Sequence, residues 1–370
     1  MFMLDGEIGN YVICRNRKYS YFAGNNYLGL AANPQVKDAA IRSVEKYGVS
    51  FSASRQTTGT SSLHLELEKD LSLFKQTSDS VIFASGFLGN RILMEVLSKR
   101  YKSVFIDQDA HPSIIYGLPG EMHEIYRYNH CDTSDLEAKL KLSDRGESLI
   151  VTDGVFALTG EIAPVDRIYD LALKYNAILI VDDAHSTGIL GEHGRGTPEY
   201  FGIDGADRIF QSETMSKAIG SYGGFISSGN DLITRIRERS SIYQASTSLP
   251  PPIVASAIAS LKILMENPGI RTELAEKARL LRNEIDSLGY HTFKGITPII
   301  PIIEDCCESA WNLSAFLEQN GIIVPVINYP GVKSNSLLRV TVSAMHEYEQ
   351  IEMLVDNLRN WKNKYKKSGI

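Results

Sequence analysis

The sequence predicts an α/β protein with a mainly parallel seven-stranded sheet in a large domain, followed by a smaller α+β domain. In the middle of the chain, short β-branched runs alternate with amphipathic runs of helical period, which is typical of a parallel sheet covered by helices on both faces. Three consecutive prolines, at 250–252, interrupt this alternation. Beyond them, helical stretches and a few strand-like runs indicate a second domain.

The first predicted element is a helix that begins at Asn33-Pro34, because asparagine is a good N-cap and proline is tolerated at the first helical position. Gly48 is expected to end it. The predicted buried stripe consists of apolar residues at helical spacing: Val36, Ala40, Val44 and Tyr47.

Seven strand-like runs follow, at 81–84, 103–107, 124–128, 149–152, 177–182, 208–212 and 224–228. The segment after Pro164 has helical period instead, since its apolar residues share one face: Val165, Ile168, Ala172 and Tyr175. A helix that joins the runs at 149 and 177 implies that those two strands are parallel.

The C-terminal part is predicted to contain helices at 253–266, 269–288 and 347–364 and strands at 298–303, 322–326 and 337–343. Pro325 makes the middle strand an edge strand, because proline cannot donate to a ladder. These elements suggest three segments: an N-terminal segment over 1–40, a large domain over 41–245 and a small domain over 246–370.

Composition excludes several classes of protein. The net charge of -6 argues against a nucleic-acid partner, which would call for a basic face. No apolar run reaches the roughly 20 residues of a membrane span, and the N-terminus lacks the pattern of a signal peptide. The four cysteines form no CxxC pair, so we expect reduced thiols in a cytoplasmic protein and no metal site.

Three polar motifs follow predicted strands, at the edge where ligands bind in open α/β sheets. In the first, an apolar run ends in Asp182, Asp183 and His185. A buried carboxylate needs a cation or strong hydrogen bonds, and a protonated pyridine nitrogen would supply the cation. A solvated strand end is the alternative interpretation.

The second motif is 214–217, which contains Thr214, Ser216 and Lys217. Lysine amines attack aldehydes only when deprotonated, and a desolvated site favours that form. The two hydroxyls are suited to an anionic group such as a phosphate. A lone loop lysine is usually a surface residue, but Lys217 lies 35 residues after Asp182, and this spacing favours a functional role.

The third motif is Ser85-Gly86-Phe87, a glycine turn between a predicted strand and a helix. Free backbone N–H groups at such a turn can bind an anion, although the signal is weak alone. The glycine-rich stretch 191–196 lacks the Gly-Lys-Ser/Thr ending of a phosphate loop and is interpreted as a surface turn.

Ordered motifs run from about Tyr21 to Leu358: residues 25–30, 59–60 with His64 and 67–68, Asp107 with His111 and Ser113, 153–156, 181–188, 194–196, 214–217, 246–250 and 338–340. In this order they resemble the α-oxoamine synthases, a family of fold-type I enzymes that depend on pyridoxal 5'-phosphate (PLP). The resemblance covers nearly the whole chain, and it implies the fold-type I architecture for the large domain.

The resemblance implies roles around the cofactor ring. Lys217 would form the Schiff base and later move protons at the substrate α-carbon. Asp182 would pair with the pyridinium nitrogen and preserve the ring as an electron sink. His185 would bond the ring hydroxyl oxygen, and His111 would stack on the ring.

Further implied contacts hold the phosphate and the substrate carboxylate: Gly86 and Phe87 (backbone) and Thr214 (side chain) on the phosphate, Thr247 on the phosphate of the neighbouring subunit, and Asn25 and Arg339 on the amino-acid carboxylate. The role of Thr247 implies a homodimer with shared active sites. Arginine suits a carboxylate because its planar fork makes two parallel hydrogen bonds.

The implied reaction condenses a small amino acid with an acyl thioester, usually with decarboxylation, to give an α-aminoketone. Acyl-CoA is the expected donor, and a carrier-protein thioester is the alternative. The chain departs from its relatives at several positions, among them Ala157, where many have serine, and Glu213, where glycine is familiar.

Three other functions remain open from the sequence. An aminotransferase on the same fold would pass through pyridoxamine phosphate, and the ordered match to the synthases argues against it. A non-catalytic PLP-binding protein is disfavoured because Lys217, Asp182, His185, His111 and Arg339 are all present. A serine-type acyl transferase or hydrolase is suggested only by a hydroxyl three residues before the lysine, without a Lys-Thr-Gly element.

Overall fold

The structure is a computed structural model that describes residues 2–98, 101–118, 124–143, 147–327 and 337–365. The chain forms two compact units. The larger unit comprises Pro34–Phe156 and Ile162–Asn267, and the smaller comprises Met1–Asn33, Ala157–Glu161 and Pro268–Ile370. The boundaries expected from the sequence, after residues 40 and 245, stay a prediction.

The strands of the described residues are β1 (Leu4–Asp5), β2 (Tyr11–Cys14), β3 (Arg17–Tyr21), β4 (Asp79–Phe83), β5 (Ser103–Asp107), β6 (Glu124–Tyr128), β7 (Ser148–Asp153), β8 (Ile178–Asp182), β9 (Ile209–Thr214), β10 (Gly224–Ser228), β11 (Ile299–Ile303), β12 (Ile322–Ile323) and β13 (Leu337–Thr341). The α-helices are α1 (Pro34–Tyr47), α2 (Ser62–Lys75), α3 (Gly89–Leu97), α4 (Pro112–Gly117), α5 (Thr133–Leu142), α6 (Val165–Lys174), α7 (Thr197–Tyr200), α8 (Asn230–Arg239), α9 (Ser241–Ala245), α10 (Pro251–Glu266), α11 (Gly269–Ser287), α12 (Cys307–Gln319) and α13 (Tyr348–Tyr365).

The larger unit is built on a seven-stranded sheet in the order β4-β10-β9-β8-β7-β5-β6. The strands from β9 to β6 in this order pair in parallel. Strand β10 is antiparallel to both of its neighbours, so β4 runs in the same direction as the parallel strands. The mainly parallel seven-stranded sheet is therefore confirmed, and six of its strands end at one edge.

Both faces of this sheet are buried, as expected for strands that are apolar throughout. Successive residues alternate between two hydrophobic clusters, because side chains of a strand point to opposite faces. One cluster contains Val104, Ile106, Val151 and Ile180. The other contains Phe105, Ile150, Leu179 and Val181. Helix α6 covers the second face with three of the residues predicted for it: Val165, Ile168 and Ala172.

The helix predicted beyond the three prolines is confirmed as α10, and it begins within them, with Pro250 as its N-cap. Pro251 and Pro252 are the first two residues of α10, where the missing N–H groups would have no helical partner. Among the described helices, none is by itself long and apolar enough to cross a membrane, and α10 and α11 meet that criterion only as a bent pair.

Helix α1 begins at Pro34 and is followed by Gly48 in a left-handed conformation (φ 75°), as predicted. The predicted buried stripe is wrong at Val44, which is 42 % exposed. Ile41, about one helical turn earlier, is 57 % exposed. The helix packs against α10 and buries Val36 and Ser43 instead. The described part of the chain thus leaves Ile41 and Val44 exposed on α1.

The smaller unit contains a four-stranded sheet in the order β1-β2-β3-β12 and a two-stranded sheet of β11 and β13. Strands β1 to β3 were missed in the sequence, because the turn between β2 and β3 is Arg15-Asn16, which has positive φ at both residues without a glycine. The strand predicted at 322–326 is shorter, Ile322–Ile323, and lies at the sheet edge as its proline suggested.

A buried histidine anchors the smaller unit. The Nδ1 atom of His346 accepts a hydrogen bond from the backbone N–H of Ser343 at 2.8 Å, and Nε2 lies 3.0 Å from the carbonyl oxygen of Tyr21. Its ring stacks on Phe22 with centroids 4.1 Å apart. Burial lowers the pKa of His346 to about 4, so the folded protein holds the ring neutral.

We expect His346 to make stability dependent on pH in mildly acidic solution. Between pH 6.5 and about 4, the unfolded chain binds a proton that the folded chain does not, so stability falls as the pH falls through this window. The full difference corresponds to about 3 kcal/mol. Urea unfolding at several pH values should show a shallower acid slope for His346→Gln. The same change at the exposed His291 should keep the wild-type slope; equal slopes for both variants would contradict the assignment.

Candidate active site

Asp182 lies at the end of β8 and is the central buried carboxylate of the sheet edge. Its Oδ2 atom accepts hydrogen bonds from Nδ2 of Asn90 at 2.6 Å and from the hydroxyl of Ser113 at 3.2 Å. Oδ1 accepts one from the backbone N–H of Ala184 at 3.1 Å. These three hydrogen bonds come from neutral groups, which stabilise the ionised carboxylate without cancelling its charge.

His111 lies next to this carboxylate and caps the N-terminus of α4. Its Nδ1 atom accepts a hydrogen bond from the backbone N–H of Ser113 at 3.2 Å and lies 2.8 Å from the Ser113 hydroxyl. Burial lowers the pKa of His111, Lys217 lowers it further, and the charge of Asp182 opposes both. The ring is therefore fixed in orientation and favours its neutral form.

Asp153, at the end of the neighbouring strand β7, binds the backbone of His111. One of its carboxylate oxygens accepts the backbone N–H of His111 at 2.9 Å. Burial raises the pKa of Asp153 well above its usual range, and the like charges of Asp182 and Asp107 raise it further. Asp153 belongs to a motif noted in the sequence, but its contact with His111 was not predicted.

Lys217 follows β9 in a half-buried loop, and its positive charge acts on both His111 and Asp153. His185 is buried in the turn that follows Asp182. The four residues expected around a cofactor ring thus all belong to the larger unit and lie on segments that begin where β5, β8 and β9 end.

Two of the expected phosphate-binding residues are in direct contact. A Cβ atom added to Gly86 would lie 2.6 Å from Cβ of Thr214, so only glycine fits there. The Thr214 hydroxyl donates to the carbonyl oxygen of Gly223 at 3.0 Å and accepts from the backbone N–H of Ser216 at 3.1 Å. These contacts fix the loop that leads to Lys217.

The turn at Gly86 leads into α3 through a 3₁₀ turn, Gly86–Leu88. The backbone N–H of Phe87 donates to the hydroxyl of Ser85 over a long 3.3 Å, and the Phe87 side chain is 47 % exposed. Its ring lies edge-on to His111, with centroids 6.4 Å apart. The turn predicted to bind an anion is therefore open to solvent.

A buried ion pair between Lys75 and Glu213 of β9 was not predicted. Oε1 of Glu213 accepts hydrogen bonds from Nζ of Lys75 at 2.6 Å and from the Thr187 hydroxyl at 2.7 Å. Lys75 also donates to the carbonyl oxygen of Arg195. Burial raises the pKa of Glu213, and Lys75 counteracts this. The unusual glutamate before Thr214 is thus matched by a lysine from the end of α2.

The remaining phosphate candidate, Thr247, lies apart from this cluster in the described contacts. It is exposed and pairs with Ser54 in an isolated β-bridge. Leu249, two residues further on, is held by His64, whose Nε2 lies 2.9 Å from the Leu249 carbonyl oxygen. Burial lowers the pKa of His64, so the ring favours its neutral form.

Asn25 and Arg339 are brought together in the smaller unit. Nη2 of Arg339 donates to Oδ1 of Asn25 at 3.0 Å and to the hydroxyl of Tyr27 at 3.2 Å. Nε donates to the carbonyl oxygen of Ala157 at 2.6 Å, and Nη1 donates to Thr341 and to Gly24. Each guanidinium nitrogen is therefore engaged, and Tyr27 and Ala157 are partners that the sequence did not reveal.

Comparison with known proteins gives consistent results. The family model "Aminotransferase class I and II" matches residues 18–358. A protein of Acetivibrio thermocellus with the provisional name 8-amino-7-oxononanoate synthase is 42% identical over 95% of this chain and 90% of its own length. The 8-amino-7-oxononanoate synthase of Lysinibacillus sphaericus is 37% identical over 94% and 90%.

Solved structures extend this similarity to the fold. A serine palmitoyltransferase of S. paucimobilis with bound PLP–myriocin aldimine superposes with a TM-score of 0.93 at 28% identity. The match covers 98% of this chain and 92% of that chain. Sequence and fold comparisons thus converge on one group of proteins.

We expect Gly86→Ala to destabilise the larger unit. The added methyl group would overlap the Cβ atom of Thr214, which is close to the backbone and cannot rotate away. Overpacking of this kind costs about 1–3 kcal/mol, which urea unfolding would measure. Gly269→Ala is the control, since nothing lies within 4 Å of the added atom. A Gly86→Ala protein as stable as this control would contradict the close contact.

Proposed function

Because the chain belongs to the aminotransferase class I and II family and, within it, to the α-oxoamine synthases, we propose that it condenses a small amino acid with an acyl thioester. The reaction would release the thiol and then CO₂, and would yield an α-aminoketone. The chain is a PLP-dependent transferase of this family, in agreement with the resemblance seen in the sequence. The amino acid, the acyl group and the residue roles below are the proposal.

Asp182 is the observation that carries this proposal. It is buried at the strand edge and receives only neutral hydrogen-bond donors in its described contacts, so its negative charge remains available to a cationic ligand. Oδ1 of the adjacent Asn90 is buried and lacks a hydrogen-bond partner among the described residues. A protonated pyridine nitrogen fits this environment, and the carboxylate would keep it protonated.

The cofactor, when bound, supplies an electron sink for negative charge at the amino-acid α-carbon. Lys217 would hold the cofactor through its amine and then move the proton at that carbon. The positions of both groups are constrained by their neighbours: Thr214 anchors the loop before Lys217, and Ser113 orients the His111 ring. His111 would cover the cofactor ring, and His185 would donate to its hydroxyl oxygen.

The phosphate would be held at the turn before α3. Gly86 is half-exposed and Phe87 is exposed at the start of a helical segment, where backbone N–H groups favour an anion. The weak 3.3 Å bond from Phe87 to Ser85 could be exchanged for a stronger, charge-assisted one. Thr214 would add its hydroxyl, and Thr247 would reach the phosphate bound by the partner subunit.

Arg339 and Asn25 would bind the amino-acid carboxylate. The guanidinium is held in place by hydrogen bonds within the smaller unit, and the longest of these, 3.4 Å to the carbonyl oxygen of Gly24, is the easiest to exchange for a carboxylate. This group is therefore ordered before the substrate arrives, which lowers the entropic cost of binding.

The chemistry of the relatives' product suggests the substrates. In 8-amino-7-oxononanoate, the amine-bearing carbon and the terminal methyl group correspond to alanine without its carboxylate, and the remaining carbons correspond to a seven-carbon acyl group that ends in a carboxylate. We therefore propose alanine as the amino acid and such an acyl thioester as the donor, with acyl-CoA as the carrier. A carrier-protein thioester is the alternative donor.

Exposed apolar residues support a homodimer. Ile41 and Val44 lie three residues apart on α1, and Val49, Leu65 and Leu73 are exposed on the following loop and α2. Large apolar side chains in such numbers are typical of an interaction surface. Thr247 is exposed in the same unit, as a contact to a partner's phosphate requires. A cytoplasmic location stays a prediction.

We expect purified protein with PLP to absorb visible light through the lysine-bound cofactor, and alanine to change that spectrum. Alanine together with the acyl-CoA should then release free CoA, measured by a thiol reagent. Lys217→Ala should lose the lysine-dependent band and at least 10³-fold in turnover, because the group that moves the proton is gone. Lys141→Ala, which removes a largely exposed lysine of the same unit, should retain both.

Each contrary outcome has a distinct meaning. Conversion of the cofactor to its pyridoxamine form by alanine alone, without thiol release, would indicate an aminotransferase. A spectrum that never responds to glycine, alanine or serine would indicate a non-catalytic PLP-binding protein. Retention of turnover in Lys217→Ala would overturn the assignment of the lysine.

We expect Val44→Glu to weaken the dimer. A charge placed in an apolar interface is left without a partner and destabilises association. Sedimentation velocity should show a shift from dimer toward monomer, with a parallel loss of activity. Leu173→Glu introduces the same change at a half-exposed position on α6 and should leave the dimer intact. A Val44→Glu protein that remains dimeric would exclude this face as the interface.

A further inference from the structure

Two side chains on one face of β9 bind the turn that carries His185. Gln211 and Glu213 are two residues apart, and alternate residues of a strand lie on the same face of a sheet. Thr214, which the proposed function uses for the phosphate, lies on the opposite face. The loop of Lys217 leaves the end of this strand, so the contacts of Gln211 and Glu213 connect the two loops of the proposed cofactor site.

The turn is anchored on both sides of His185. Before the histidine, Oδ2 of Asp183 accepts a hydrogen bond from Nε2 of Gln211 at 2.5 Å. After it, the hydroxyl of Thr187 donates to Oε1 of Glu213 at 2.7 Å. Asp183, Thr187 and Glu213 are each at most 2 % exposed. His185 therefore lies between two buried anchors, each two residues away along the chain, and both lead to the same strand.

Lys75, at the end of α2, stabilises the carboxylate of the second anchor. Its Nζ atom lies 2.6 Å from Oε1 of Glu213, and both side chains are at most 2 % exposed. Lys75 also donates to the carbonyl oxygen of Arg195, which accepts from Nε2 of Gln211 at 3.2 Å as well. Burial raises the pKa of Glu213, and the charge of Lys75 counteracts this. The lysine thus favours the ionised carboxylate, which is the stronger acceptor for a hydroxyl.

From these contacts we propose that Glu213 and Thr187 are positioning residues for His185 in the PLP site, and that Lys75 supports them by neutralising the buried carboxylate. The inference rests on the proposed function, in which His185 binds the hydroxyl oxygen of the cofactor. A binding group must be held within about 0.5 Å of its productive position. A turn anchored only at Asp183 would leave the His185 ring less restrained.

A positioning contact and a purely structural contact differ in one measurable property. A structural contact lowers the stability of the larger unit, and its effect on PLP binding does not depend on His185. A positioning contact acts through His185, so its effect disappears when the histidine is absent. A double-mutant cycle on PLP affinity therefore separates the two roles, and this measurement needs neither the amino acid nor the acyl thioester.

The test removes bound cofactor, titrates the protein with PLP and follows the visible band to obtain the dissociation constant. Thr187→Val removes the donating hydroxyl at nearly constant volume and should weaken PLP binding about threefold or more. His185→Leu should weaken it about fivefold or more, as expected for the loss of one hydrogen bond. The double variant should bind PLP no more weakly than His185→Leu, whereas independent effects would multiply to about fifteenfold.

Two further variants serve as controls. Thr187→Ser keeps the hydroxyl and should retain wild-type affinity. Ser227→Ala removes a buried hydroxyl that lies 2.6 Å from the hydroxyl of Ser80, at the opposite end of the sheet, and should leave PLP binding unchanged. If Thr187→Val does not fold, Thr187→Ala removes the same hydroxyl with a smaller side chain and should give the same result in the cycle.

Multiplied losses in the double variant, or wild-type affinity in Thr187→Val, would overturn the positioning role and leave the proposed function intact. Equal losses in Thr187→Ser and Thr187→Val would do the same. A His185→Leu protein with wild-type PLP affinity would contradict the contact of His185 with the cofactor and overturn this inference with it. Failure of the wild-type protein to release thiol would instead count against the proposed function, and the cycle would still decide the role of Thr187.

Discussion

The charge of Asp182, buried at the end of a central parallel strand, is the constraint on which the rest of the site depends. An isolated carboxylate in such a place is costly, and here Asn90 from α3 and Ser113 from α4 offset the cost with hydrogen bonds. Ser113 also holds the ring of His111. One buried carboxylate therefore connects β8 to α3 and α4 and, through Ser113, to the His111 ring.

The same edge collects further buried acids, and each is stabilised by a local device. Asp107 and Asp153 accept backbone N–H groups, Asp183 accepts from the backbone of Thr197, and Glu213 is paired with a lysine. Close negative charges raise the pKa of Asp153. Buried acids of this kind make the edge less stable than an apolar one of the same shape.

Local pattern predicted the large sheet well, because strands buried on both faces are apolar throughout. The bounds of β5, β6 and β10 agree with the sequence residue for residue. The hairpin of β2 and β3 was missed because its turn has no glycine, and Val44 was assigned to the core because an exposed apolar residue at helical spacing looks like a core residue in sequence.

The candidate site also combines residues that local sequence reveals with residues that it does not. Lys217 and Asp182 could be found because each follows a recognisable strand, but Asn90 precedes its partner Asp182 by 92 residues, and nothing in its local sequence connects the two. The pairing of Lys75 with Glu213, across 138 residues, was equally invisible. Removing either charge of such a pair leaves the other buried and unpaired. Lys75 and Glu213 are therefore compatible with the fold only as a pair. A prediction that considers one sequence position at a time cannot recover a constraint that exists only between two positions in the folded chain.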